Sequence, residues 1–81
     1  MRNLEKLEQK IEDAFVEADN LLKQIPDQEM MELFLESAAS LATYYEARVK
    51  NLNSYKSLCN VFVSVKHLNS QMKMLIPEIY S

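Results

Sequence analysis

The sequence predicts an all-α fold, an antiparallel helical hairpin completed by a third helix, on three observations. Leu4, Leu7, Ile11, Ala14, Ala18, Leu21 and Ile25 recur by alternating steps of three and four, which places them on one stripe of a helix. Met31, Leu35, Ala38, Ala42, Tyr45, Val49 and Leu52 resume that spacing beyond Pro26. The 81 residues include no glycine, so the chain lacks the residue that reaches positive φ most easily. That argues at once against tight hairpins, phosphate-cradling loops and nucleophile elbows.

The first helix is expected over about 3–24, with Asn3 as a candidate N-cap. Pro26 ends it, because the residue before a proline is pushed out of the α region and Ile25 becomes a boundary. Pro26, Asp27 and Glu29 suit the start of a second helix, expected over about 27–50. So short a connection folds the two helices back on each other. After Leu52 the next inward candidates, Tyr55, Leu58 and Phe62, come a step of three where four is due. That slip coincides with Asn51, Asn53 and Ser54, which are poor helix-interior residues and good caps, so a turn is expected there and a third helix over about 54–75. The reading is one helical domain over 1–76 and a tail over 77–81, starting at Pro77.

The competing architecture is a continuous helix from 27 to 75, giving a long two-helix hairpin within an oligomer. Such a helix would be about 70 Å long, more than an 81-residue monomer can cover. Val61, Val63 and Val65 alternate as in a strand, but a lone strand between helices has nothing to pair with.

Composition sets the class. Apolar residues make up 48% and charged residues 26%, values of an ordinary globular chain. The single cysteine, Cys59, cannot form an internal disulfide; with no signal-peptide pattern and no run long enough to span a bilayer, a cytoplasmic setting is expected. The net charge of −3 is unevenly distributed: residues 1–36 hold ten of the twelve acids and four bases, while residues 37–81 hold five bases and two acids. The plain consequence is an acidic first helix beside a basic last one; the sharper one is self-association steered by the two halves.

The apolar arcs of the helices carry the functional expectation. At about 100° per residue the first stripe covers roughly 120°, enough for one buried face. Met30, Met31, Leu33, Phe34 and Leu35 sweep roughly 200°, and Leu58 to Leu68 roughly 220°, more than one neighbour readily covers. Adjacent Tyr44 and Tyr45 cannot both centre one narrow stripe, and Met30 and Met31 offer adaptable contact surface. The expected anchors for a partner are therefore Leu33, Phe34, Tyr44, Val61, Val63 and Val65. Ala38, Ala39 and Ala42, opposite Ala14 and Ala18, predict close approach of the first two helices.

Catalytic chemistry is thin. Cys59 and His67 stand eight residues apart, roughly 12 Å along one helix, and cannot act as nucleophile and base. His67 has no acidic or thiol residue at a helical ligand spacing, so no metal or other cofactor is expected. The pairs Glu8 with Glu12 and Asp13 with Glu17 read as a solvated face. Two arginines cannot build the cationic clamp of a small helical mutase, so no enzyme and no small-molecule substrate are expected. Lys50, Lys56, Lys66 and Lys73 are scattered without aromatic interleaving, which disfavours nucleic acid, and a dense basic face with tryptophan for a membrane surface is missing. The function expected is a protein–protein interaction module, an adaptor, dedicated co-chaperone or stoichiometric inhibitor; the alternative is a homo-oligomeric helical bundle.

Overall fold

A computed structural model describes residues 2–49 and 55–77. Three helices follow in order, α1 (Arg2–Leu22), α2 (Gln28–Val49) and α3 (Tyr55–Lys73). Helix α1 runs through Asn3, so that residue is not its cap. The expected break at Asn51, Asn53 and Ser54, together with Leu52 and the tail residues 78–81, lies outside the described residues.

The helix ends follow the prolines. Beyond Leu22 the backbone tightens, Gln24 N–H donating to the Leu21 carbonyl at 2.9 Å and Ile25 N–H to that of Leu22 at 3.3 Å, until Ile25 meets Pro26. The end of α3 repeats this device before Pro77, with Leu75 N–H on Met72 O at 3.0 Å and Ile76 N–H on Lys73 O at 3.3 Å. Asp27 caps α2: its Oδ1 accepts from the backbone N–H groups of Glu29 at 2.9 Å and Met30 at 3.2 Å.

Two core clusters fix the topology. At one end Leu7, Ile11 and Ala14 of α1 meet Tyr45 of α2 and Leu58, Val61 and Val65 of α3. At the other, Ala18, Leu21, Leu22 and Ile25 meet Ala38 of α2 and Leu68 and Met72 of α3. The helices therefore run up, down and up, and the fold is a three-helix bundle in which α3 turns back along α2. The stripe expected for α1 is the one buried, with Leu4 half-buried at its start.

The expected stripe of α2 is rotated. Phe34, Leu41 and Val49 pack inward beside Ala38 and Tyr45, while Leu35 stays 48% exposed. Leucine at 41 buries more apolar surface than alanine at 42, and a helix touching two neighbours turns its richer face toward both. In α3 Tyr55 is exposed, and the stripe runs through Leu58, Val61, Val65, Leu68, Asn69 and Met72.

The close approach expected between α1 and α2 falls elsewhere: α1 packs most extensively on α3 and least on α2. Ala14 faces α3, its carbonyl accepting from Asn69 Nδ2 at 3.0 Å. Between α1 and α2, Phe15 and Tyr45 stack with centroids 6.0 Å apart and planes tilted by 47°, a pair too bulky for an alanine-to-alanine seam. The resulting body is flat. Its Cα extents are 42 × 25 × 14 Å and its radius of gyration 13.7 Å, against about 12 Å for a compact domain of this length.

Candidate docking groove

On the face turned away from α3, the first two helices diverge around a groove of about 310 Å³. Its floor is Ala18, Leu22 and Ala38, flanked by Phe15, Ala39 and Ala42. Val16, 61% exposed, and Leu35 form the banks. A second hollow of about 370 Å³ shares Asp19, Leu22 and Leu35 with it and continues past Ile25 and Met31 to Lys23 and Gln28. Together they form one trough, running from Phe15 on α1 past the helix end at Leu22 to Ile25, roughly 15 Å. The four alanines make it: held apart by Phe15 and Tyr45, the helices leave open the volume that larger side chains would fill.

Asp19 lines both hollows and Lys23 the lower one. By helical spacing Glu12 falls on the Asp19 side of α1, about a turn from Phe15, and Glu32 and Glu46 fall on the Ala39 side of α2, Glu32 lining the neighbouring hollow of Leu33. All four carboxylates are on exposed residues, and Lys23 is the one base lining the trough. Glu12 also accepts from the Tyr45 hydroxyl at 3.3 Å. Burial, and after it the Glu12 carboxylate, pushes the Tyr45 phenol up to about 12.

The side of α1 facing α3 is pinned by a polar cluster. Glu17 pairs with Lys73 at 3.1 Å and Lys66 at 3.5 Å and accepts from Asn69 Nδ2 at 3.1 Å. The Lys73 hydrogen bond leads in holding the Glu17 carboxyl below its ordinary value. Asn69 is buried with its Oδ1 unpartnered. The carboxylates expected as a purely solvated face thus include two, Glu12 and Glu17, that join α1 to its neighbours. The expected attraction between an acidic first helix and a basic last one is realised at Glu17.

The six expected anchors divide. Val61 is 2% exposed and Val65 fully buried, so both belong to the core and are corrected as contact residues; their place on the α3 stripe facing α1 and α2 leaves no surface to offer. Phe34 is half-buried against the lower cluster. Tyr44 is exposed, but Arg48 sits 4.4 Å over its ring, and hydrogen bonding with Ser57, then Arg48, lowers its phenol. Leu33 and Val63 are open, at 58% and 64%, yet do not form a patch. Leu33 shares its hollow with Glu29, Glu32 and Glu36, and exposed Ser37 and Ser40 separate it from Tyr44. Val63 lies opposite the α3 core stripe among Asn60, Lys66 and His67.

Sequence reasoning missed Phe15, Val16, Leu22 and Ala39 as groove residues. The signal was partly present: Phe15 borders the first stripe and Leu22 falls within its arc, whereas Val16 lies on the opposite side of the helix and gave none. Elsewhere Cys59 is half-buried against the core and His67 is exposed. Among the described residues no group of three or more His, Cys, Asp and Glu could hold a metal ion, and no helix is long and apolar enough to cross a membrane. Compared with protein families, curated proteins and solved structures, the chain matches none of them.

Proposed function

We propose that this chain is a small helical interaction module, an adaptor, co-chaperone or inhibitor, that binds a partner protein in the trough between α1 and α2. The observation that supports this reading is the continuous apolar floor and banks from Phe15 and Ala42 down to Ile25 and Met31, on the side α3 does not cover. A small domain gains stability by covering such a surface, and contiguous apolar patches mark interaction sites more often than scattered single residues do. The role asks for no catalytic group, cofactor or small-molecule substrate, and a cytoplasmic setting suits it. It also moves the expected contact from the faces of α2 and α3 to the seam of α1 and α2.

Ala39→Glu tests it, because residue 39 is exposed in the groove and glutamate favours helix. The variant is expected to keep its helical circular dichroism and lose its partner, while Val63→Asp keeps both. Loss of the partner from Val63→Asp with retention by Ala39→Glu contradicts the reading.

A second reading, a homo-oligomeric bundle, is favoured by the flat shape, since a second layer laid on a body 14 Å through would enlarge its core. Mass in solution across a hundredfold range of concentration separates the two: the docking reading expects a monomer, the second reading a concentration-dependent dimer.

A further inference from the structure

We infer that the occupant of the trough is a cationic amphipathic helix supplied by another protein, an inference that rests on the docking reading above. The shape calls for a helix. Among the described residues the chain offers no strand whose edge could pair with an extended peptide, so contact must be made by side chains. A trough of roughly 15 Å between two antiparallel helices accepts about three turns of a third, its ridge seated over Ala18, Ala38 and Ala42. The alanine floor lets that ridge sit deep, and Val16 and Leu35 close on its sides.

The rims set the sign of the visitor's flanks. By helical spacing Glu12 and Asp19 on one side and Glu32 and Glu46 on the other would flank a seated helix, opposed among the described residues only by Lys23 at the lower end. Lysines or arginines flanking the apolar stripe would meet these carboxylates at the boundary of a desolvated groove, where complementary charge governs choice of partner and speed of encounter.

The same charges disfavour the chain's own surfaces. Two copies joined trough to trough would bring acidic rims together. Helix α3, with Lys56, Lys66 and Lys73 and no acid, has the right sign, but its apolar stripe is spent on its own core, leaving Tyr55 and Val63, eight residues apart, as its exposed large apolar side chains. The positive, apolar-striped helix must come from elsewhere.

A displayed library of about 16-residue helical peptides, varied at all positions and selected against the full chain, tests this. Enriched sequences are expected to carry apolar residues at i, i+3 or i+4 and i+7 flanked by Lys or Arg, and to shift the backbone amide resonances of Val16, Leu35 and Ala39. Affinity should fall about tenfold between about 50 mM and 500 mM salt, and by a similar factor in an Asp19→Lys, Glu46→Lys double variant that melts like the wild type. Neutral or acidic helices seated in the trough would overturn the inference and leave the docking reading standing. Selected helices that leave the trough amides unmoved would overturn both. A full chain that dimerises through the trough, and that Leu35→Asp returns to monomer, would show the occupant to be a second copy and overturn the inference.

Discussion

Packed against Phe15 and donating its hydroxyl to Glu12, Tyr45 is held protonated, first by burial and then by the neighbouring carboxylate. A folded pKa raised to about 12 from an ordinary 10 means its contribution to stability is complete below pH 10 and disappears as pH rises toward 12. Thermal melts of the wild type should therefore decline over that interval more steeply than those of Tyr45→Phe, which has no phenol to ionise. Glu17 has the opposite sign. Its carboxyl, depressed chiefly by the Lys73 hydrogen bond, contributes above the ordinary carboxylate range, and that contribution fades as pH falls through the lowered folded value. Glu17→Gln should be less stable than the wild type at neutral pH, and the gap should close in acid; a gap constant with pH would remove the ion pairs from the account. Neither role was legible in the sequence. Tyr45 reads as an inward residue, but nothing in the spacing says that Glu12 reaches it, and Asn69 looks like surface until Val65 and Met72 are seen to place it on the buried stripe.

At the scale of the element, the buried stripe of α1 was legible because its seven residues obey one spacing and its end is set by proline chemistry, while Phe15, Val16 and Leu22, outside that list, were missed. Helix α2 was harder. It carries two interleaved candidate stripes, and the choice between Leu35 with Ala42 and Phe34 with Leu41 depends on where α3 lies, which local periodicity does not encode. The wide apolar arc of α3 was resolved by its sitting against both other helices, which absorbs Val61 and Val65. Leu58→Ala should cost about 3 kcal/mol in denaturant unfolding, since the side chain is fully buried where the three helices meet, whereas Val63→Ala should stay within about 0.5 kcal/mol. Asp27→Ala removes the acceptor of two backbone donors and should cost about 1 kcal/mol. Equal costs at Leu58 and Val63 would place the inner face of α3 incorrectly.

Across the whole molecule, α3 lies on one side of a splayed hairpin, with Asp19 lining the open side and Lys66 and Lys73 of α3 paired to Glu17 on the other. The alanines invited the opposite expectation. Small residues on two facing stripes ordinarily permit a tight seam; here the Phe15 and Tyr45 rings spread it, so the same residues line a trough instead of closing one. Methyl relaxation by a soluble paramagnetic chelate, measured on the free chain at a concentration where its mass is that of a monomer, tests this most directly. The methyls of Val16, Leu35 and Ala39 should be relaxed nearly as strongly as those of exposed Val63 and that of half-buried Ala42 less so, with Val61, Val65 and Met72 shielded. Shielding of Ala39, Ala42 and Leu35 in the monomer would mean that the first two helices close on each other and that no trough is there to be filled.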